Sequence, residues 1–179
     1  GAPGAGKTST SRLLHNKNGI ELYEGDYLRE VKLPREVGDS KDPFLYIGTK
    51  QAWRLFGDLN KENVIKGLQA VRKSMQPYID KELAERPSVI FEAAFLDPTS
   101  QRNGRLFLVV TAEEAAHREQ FYRDRKFFHP KYGSAELEEG FLASRLIQDY
   151  LIEEAKKLKV TVIYNNNNQN ELLDQFDNI

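Results

Sequence analysis

The first eight residues, Gly1-Ala2-Pro3-Gly4-Ala5-Gly6-Lys7-Thr8, fit the pattern G-x-x-x-x-G-K-[ST], in which a glycine-rich turn cradles phosphate groups. The glycines let the backbone fold into a nest of N–H groups, and the helix that follows points its positive dipole end at the same place. In such a loop the lysine reaches the β- and γ-phosphates of a nucleotide, and the threonine hydroxyl ligates Mg²⁺. A loop of this kind normally follows a buried parallel strand and opens a helix, so the motif favours an α/β fold.

The loop and the first turn of its helix are therefore the predicted nucleotide site. No strand precedes Gly1 in the sequence, so we expect about five to eight apolar residues of a first strand upstream of it. The predicted nucleotide-binding residues of this segment are Gly1, Pro3, Gly4, Ala5, Gly6, Lys7, Thr8 and Ser9.

The composition predicts one globular domain over residues 1–179. Hydrophobic residues make up 40% of the chain, enough for a sizeable core. Lys and Arg number 26 and Asp and Glu number 27, a net charge of -1, so no overall positive field would attract nucleic acid or a membrane surface. The absence of cysteine excludes disulfides, thiolate metal sites and a cysteine nucleophile. We expect a cytoplasmic enzyme with a small-molecule partner, and the oligomeric state stays open.

Short apolar runs alternate with longer helical stretches along the chain, which predicts a parallel sheet with helices on both faces. With the strand expected upstream of Gly1, the sheet would have about five strands. The segment 33–44 has the composition of a loop, and Pro77 is expected to kink or divide a helix. Strands are predicted near 20–23, 89–91, 105–110 and 160–164, and helices near 8–15, 62–85, 111–126, 135–157 and 171–176. Thr111 and Glu114 have the spacing of a capping box at the start of the third of these helices, 111–126.

Two carboxylates follow predicted strands, at the sheet edge where open α/β sheets bind ligands. Asp26 comes after the strand 20–23, where it could orient an acceptor hydroxyl and take its proton. Glu92 ends the strand 89–91, where it could hold Mg²⁺ or bind the acceptor. Because burying an unpaired charge is expensive, a carboxylate beside such an apolar run favours a functional role.

A basic run lies between the capped helix that begins near Thr111 and the break at Pro130 and Gly133. Phosphoryl transfer spreads negative charge over the γ-phosphate oxygens, and cations on a short lid, predicted around 117–133, could neutralise it. Acidic residues are interleaved with the run, so part of it is expected to be a solvated helix face. His117 and His129 have no metal-ligand partner at helical spacing and are interpreted as structural or surface residues. The basic residues are Arg118, Arg123, Arg125 and Lys126.

With these elements placed, the chain resembles the P-loop kinases of the 2-phosphoglycerate kinase family over nearly its whole length. Only the phosphate loop is specific to a mechanism, and the remaining matches are specific to the family. Phe95 stands where the family has a polar residue. The matching segments are 25–31 (GDYLREV), 62–67 (ENVIKG), 91–98 (FEAAFLDP), 117–125 (HREQFYRDR) and 145–151 (RLIQDYL).

The resemblance implies a P-loop NTPase fold of nucleoside-monophosphate-kinase type, with ATP and Mg²⁺. It implies that Asp26 and Arg29 face the acceptor and that Glu92 faces the acceptor or, with Thr8, the metal. A guanidinium such as that of Arg29 suits a phosphorylated or carboxylated acceptor, because it binds such groups through two hydrogen bonds. The transferred phosphate would be contacted by Arg123, Arg125 and, within the ATP site, Arg145.

The leading hypothesis is thus an ATP-dependent kinase that phosphorylates a small anionic hydroxy compound, possibly 2-phosphoglycerate. Lys7, Asp26, Arg123 and Arg125 would be its catalytic residues. A GTP-dependent switch is disfavoured because the chain has neither an N-K-x-D nor a D-x-x-G sequence. A nucleic-acid end kinase is disfavoured by the net charge, and an ATPase that serves as an interaction module would hydrolyse ATP without an acceptor.

Overall fold

A computed structural model describes residues 1–100, 104–128, 133–166 and 168–177, without the side chains of 126–128. Helices and strands alternate along most of this chain, as the sequence pattern predicts. The α-helices are α1 (Lys7–Asn18), α2 (Gly25–Tyr27), α3 (Leu33–Glu36), α4 (Lys61–Glu85), α5 (Glu114–Phe128), α6 (Ser134–Leu158) and α7 (Gln169–Asp177), and the strands are β1 (Glu21–Glu24), β2 (Val89–Glu92), β3 (Phe107–Val110) and β4 (Thr161–Tyr164).

The described strands form two parallel pairs rather than one continuous sheet. β1 pairs with β2, with Glu21 opposite Val89, and β3 pairs with β4, with Phe107 opposite Thr161. A cavity of about 350 Å³ lies between β2 and β3 and has Gly1 in its lining. The fold is therefore mixed α/β with parallel pairing, and the single five-stranded sheet with a strand before Gly1 stays a prediction.

Long helices cover the strands and form most of the core. α4 begins at Asn60, whose side chain accepts a hydrogen bond from the Asn63 N–H at 2.9 Å, a standard N-terminal cap. Its buried residues include Val71 and Met75, which pack in a cluster with Tyr23 of β1. Other buried residues of α4 pack with α6 and β3. α4 therefore joins the two strand pairs through their cores.

The predicted division of a helix at Pro77 and the prediction that 33–44 is loop throughout are wrong, and the alternative of a kink at Pro77 stays a prediction. α4 is one helix that continues through Pro77, because Pro77 faces solvent and the carbonyl of Lys73 that loses its donor is on the exposed side. The segment 33–44 is not all loop, since α3 occupies Leu33–Glu36 with Pro34 in its first turn, where no amide donor is needed. Before it, Leu28–Lys32 is a π-helix that continues α2.

The predicted capping box is also wrong. α5 begins at Glu114, and the His117 N–H donates to the carbonyl of Glu113 at 3.0 Å. The Thr111 hydroxyl instead donates to the carbonyl of Ala5 at 3.3 Å. A tertiary contact with the phosphate loop therefore replaces the local cap.

None of the helices in the described ranges has the length and apolar character that crossing a membrane requires. The predicted lid around 117–133 lies partly on α5, and residues 129–132, which include His129, lie outside the described residues.

Candidate functional site

The segment Gly1–Thr8 forms a tight loop that leads into α1. Gly4 and Gly6 have φ angles of 81° and 82°, in the left-handed region that glycine adopts without strain. A Cβ atom at Gly6 would lie 2.1 Å from the Asn165 Nδ2 atom, so the space for it is taken. Lys7 lies in the first turn of α1, and its ammonium donates to the carbonyl of Ala2 at 3.1 Å. The loop therefore needs glycine at positions 4 and 6, and its binding of phosphate stays a prediction.

Buried polar groups hold the loop from the side of α5 and α6. The His117 ring lies 2.9 Å from the Pro3 carbonyl through Nε2; because a carbonyl only accepts, Nε2 carries the proton. Burial lowers the pKa of His117, with the Pro3 hydrogen bond opposing this, which favours the neutral ring. Nδ1 can then accept from Arg145, whose guanidinium also donates to the carbonyl of Thr111, both at 3.3 Å.

Arg145 contacts the His117 ring and the Thr111 carbonyl, two groups that hold the loop Gly1–Thr8. Its predicted contact with phosphate stays a prediction. His117, interpreted from sequence as a structural or surface residue, has a structural role, because its ring holds the Pro3 carbonyl of the loop Gly1–Thr8.

Thr8 and Glu92 come together as the motif and the strand end predict. The Thr8 hydroxyl donates to Glu92 Oε1 at 2.9 Å. The other carboxylate oxygen of Glu92 is buried and has no hydrogen-bond partner among the described residues. A hydroxyl and a half-satisfied carboxylate beside a phosphate loop fit Mg²⁺, which keeps several waters and needs only one or two protein carboxylates. Within the described ranges, no group of three or more His, Cys, Asp and Glu residues forms a larger metal site.

Arg29 lies in the π-helix after β1 and is 7% exposed. Its guanidinium donates to Asp26 at 3.0 Å, to Glu30 at 2.5 Å and to the carbonyl of Ile47 at 3.2 Å. Its Nε atom is buried and lacks a hydrogen-bond partner among the described residues. The Phe95 ring lies 5.8 Å from the guanidinium carbon, so the aromatic residue that departs from the family pattern packs against this arginine.

One cavity of about 120 Å³ joins the phosphate loop to these residues. Asp26, Arg29 and Arg125 line it together with Lys7 and Thr8, so the fold brings residues that are far apart in the sequence to one place. The sequence reasoning missed Thr49 and Lys50, which also line it. Around this cavity, the charged residues that the structure describes are Lys7, Asp26, Arg29, Lys50, Asp124 and Arg125, so cations outnumber carboxylates.

Lys50 and Arg125 lie over the same aromatic ring. The Lys50 ammonium is 5.5 Å from the centroid of the Phe121 ring, and the Arg125 guanidinium is 5.0 Å from it. Burial and the nearby Arg125 lower the pKa of Lys50 to about 7. No periodic or motif signal in the sequence marks Lys50, because its segment reaches the cavity only through tertiary contacts.

A further cavity, also of about 350 Å³ but distinct from the one between β2 and β3, is lined by Gly6 and Ser9 and is called the Ser9 cavity. Arg123, which is exposed, lines the Ser9 cavity rather than the 120 Å³ cavity, and Asn165 and Asn168 line it too. Arg123 and Arg125 therefore face different cavities, although the sequence assigns both to the transferred phosphate. Both roles stay predictions.

An α/β chain with a glycine-rich loop at Gly1–Thr8, a paired threonine and carboxylate, and a cationic cavity is arranged like a small-molecule kinase. The chain is 30% identical to the 2-phosphoglycerate kinase of Methanocaldococcus jannaschii over 178 residues, covering 92% of this chain and 56% of that protein. It is 28% identical to the 2-phosphoglycerate kinase of Methanopyrus kandleri, covering 98% of this chain and 57% of the relative. It is 25% identical to the mevalonate-3-phosphate 5-kinase of Thermoplasma acidophilum, covering 87% and 81%.

These similarities confirm the resemblance to the 2-phosphoglycerate kinase family and support a phosphotransferase. The chain spans about half the length of the two 2-phosphoglycerate kinases it matches. No protein-family profile and no solved structure matches the chain.

Proposed function

We propose that the chain forms the catalytic unit of an ATP-dependent kinase that transfers the γ-phosphoryl group of MgATP to a hydroxyl of a small anionic acceptor. The observation that carries the proposal is the 120 Å³ cavity in which Lys7 and Thr8 face Asp26 and Arg29. A nucleotide whose phosphates lie in the loop would present its γ-phosphate to whatever occupies this space. An acceptor carboxylate or phosphate would bind Arg29, whose Nε atom is buried without a partner among the described residues.

In the proposed reaction a bond forms between the acceptor oxygen and the γ-phosphorus, and the bond from that phosphorus to the β–γ bridging oxygen breaks. Lys7 stabilises charge on the phosphates, and Asp26 orients the acceptor hydroxyl and takes its proton. Arg125 adds positive charge beside the transferred group. Thr8 and Glu92 would hold Mg²⁺, which when bound neutralises charge on the nucleotide phosphates. The hydroxyl and the phosphate then react as neighbours within one cavity.

The Ser9 cavity is proposed to receive the nucleoside, because Gly6 and Ser9 line both it and the 120 Å³ cavity. Side-chain amides there, at Asn165 and Asn168, can both donate to and accept from a base edge.

The acceptor is proposed to be a phosphorylated hydroxy acid. The names of the relatives give 2-phosphoglycerate and mevalonate 3-phosphate as acceptors, and both compounds carry a carboxylate, a phosphate ester and a free hydroxyl. The cationic character of the cavity around Arg29 and Lys50 suits such a compound.

The test is ADP release from MgATP, first alone and then with a panel of 2-phosphoglycerate, mevalonate 3-phosphate, sugar phosphates and nucleoside monophosphates. We expect one phosphorylated hydroxy acid to stimulate release. Lys7→Ala should abolish it without loss of fold, whereas Lys17→Ala, at the exposed end of the same helix, should keep it. Hydrolysis that no acceptor stimulates would make the chain an ATPase module, and turnover by Lys7→Ala would remove the loop from the reaction.

A further inference from the structure

The backbone around Lys50 is fixed by a turn. The N–H groups of Gln51 and Ala52 donate to the carbonyl of Gly48 at 2.8 Å and 3.0 Å. The indole of Trp53 donates to the carbonyl of Lys50 itself at 2.9 Å. Thr49 beside it is 3% exposed. The fold therefore anchors Lys50 at the cavity, unlike a lysine on a solvated surface.

Lys50 shares its surroundings with two arginines. Lys50 and Arg125 lie over the Phe121 ring, at 5.5 Å and 5.0 Å from its centroid. Both line the cavity that contains Arg29 and the phosphate loop. Cations gathered in a partly desolvated space repel one another, and an anion bound among them removes that cost.

The pKa of Lys50 agrees with this arrangement. Burial first, and then Arg125 of α5 and Arg29 of the π-helix, lower the pKa to about 7. Glu136 of α6 and Asp26 of α2 oppose the shift. Near neutral pH a part of the protein therefore has Lys50 uncharged, and a bound anion would favour its ammonium form.

We propose that Lys50 is a specificity-determining residue that binds an anionic group of the acceptor, a phosphate ester or a carboxylate, together with Arg29 and Arg125. This inference rests on the proposed function and adds to it the side chain that recognises the acceptor's anionic group. Four cations and two carboxylates line the cavity, so an anionic acceptor is favoured there over a neutral sugar or alcohol. The acceptor class is therefore a hydroxy compound that brings its own anion, with Asp26 at the hydroxyl.

The test measures sulfate binding by calorimetry while a non-hydrolysable ATP analogue and Mg²⁺ saturate the phosphate loop, so that sulfate reports the acceptor side. Lys50→Met keeps the apolar stem over Phe121 but removes the charge, and we expect it to weaken sulfate binding at least about fivefold at pH 7. Lys50→Arg should restore binding. Lys73→Met, on the exposed face of α4, controls for the change in net charge. Acetate replaces sulfate in a second series and separates preference for a carboxylate from preference for a phosphate-like group.

A pH series separates binding from a structural role. Sulfate stays a dianion above pH 4. Any proton taken up when sulfate binds is therefore bound by the protein and not by sulfate. With a free pKa of about 7, sulfate affinity should fall about fivefold between pH 7 and pH 8 in the unaltered protein. Lys50→Arg should show no such fall, because arginine stays charged throughout.

The inference would be overturned if Lys50→Met bound sulfate with the same affinity as the unaltered protein. It would also be overturned if the sulfate affinity of Lys50→Arg fell between pH 7 and pH 8 as it does in the unaltered protein. This second comparison tests the inference even if Lys50→Met does not fold. The proposed function fails by a different result, which is ADP release that no acceptor stimulates. Acceptor-stimulated release with an unchanged acceptor KM in Lys50→Met would overturn this inference and leave the proposed function standing.

Discussion

Asp26 and Glu30 offer a comparison within a single turn of helix. Both carboxylates accept a hydrogen bond from the Arg29 guanidinium. Of the two, Asp26 lines the cavity that contains the phosphate loop. Loss of either carboxylate changes the support of Arg29, but only loss of Asp26 would remove a group that reaches the acceptor.

Asp26→Asn should therefore lower kcat by about 10²- to 10⁴-fold, the range for loss of a general base, while nucleotide affinity changes little. Glu30→Gln is the matched control and should keep kcat within a few-fold of the unaltered enzyme. Steady-state kinetics with the stimulating acceptor, together with nucleotide titration, measure both quantities. Equal losses of kcat in the two variants would assign Asp26 to the support of Arg29, and a pure loss of affinity would assign it to binding.

At the residue scale, the sequence predicted the positions that follow from a motif or a strand end. Thr8 and Glu92 lie within hydrogen-bond distance of one another because a phosphate loop and a strand end meet at one edge. Lys50 could not be predicted, since its place depends on a turn that contacts Trp53 and on the ring of Phe121. Arg145 was assigned to ATP from resemblance, and its contact with His117 could not be predicted, because it joins two helices through tertiary packing.

At the scale of elements, α4 depends on a close approach to the 3₁₀-helix Ala52–Leu55. A Cβ atom added to Gly67 of α4 would lie 2.6 Å from the Trp53 nitrogen and 2.8 Å from the Ala52 carbonyl carbon. These are backbone atoms, so relief requires the 3₁₀-helix to move. The turn that carries Lys50 directly precedes this helix and would move with it.

Gly67→Ala should destabilise the protein, although alanine favours a helix over glycine by about 1 kcal/mol. Overpacking costs about 1–3 kcal/mol of stability. Because the atoms that the new methyl group meets are backbone atoms, we expect the cost of Gly67→Ala to lie near the upper end of that range. Gln69→Ala, on the exposed side of the same helix, should change stability by less than about 0.5 kcal/mol. Urea unfolding measures both variants. A Gly67→Ala protein at least as stable as the unaltered one would show that α4 and the 3₁₀-helix can separate without cost.

Element types were largely predictable and their ends were not. The apolar spacing of 135–157 predicted α6, which runs over Ser134–Leu158. The capping box at Thr111 failed because the same hydroxyl binds the carbonyl of Ala5, a contact between residues far apart in the chain. Pro77 failed to divide α4 because its exposed position leaves the affected carbonyl to solvent.

For the molecule as a whole, α4 and α6 carry the contact between the two strand pairs, and two ion pairs link them. Arg72 and Glu154 form a buried pair through two hydrogen bonds, at 2.9 Å and 2.7 Å. Lys61 and Glu153 form a single contact at 3.0 Å, with both side chains 53% exposed. The local sequence predicted both helices, but neither pair could be predicted, because each joins residues more than eighty positions apart.

Glu154→Leu should lower the free energy of unfolding by about 3–5 kcal/mol, because it leaves the Arg72 guanidinium buried without its counter-charge. The double variant Arg72→Met/Glu154→Leu should recover most of that loss, since it removes the stranded charge and keeps apolar volume. Glu153→Leu breaks the exposed pair between the same two helices and should cost no more than about 1 kcal/mol. Equilibrium urea unfolding of the three variants gives the comparison. If Glu153→Leu and Glu154→Leu lose the same amount of stability, burial of the pair does not matter. The Tyr150 hydroxyl also donates to Glu154, at 3.0 Å. If the double variant is as unstable as Glu154→Leu, the loss comes from contacts such as this one rather than from an uncompensated charge.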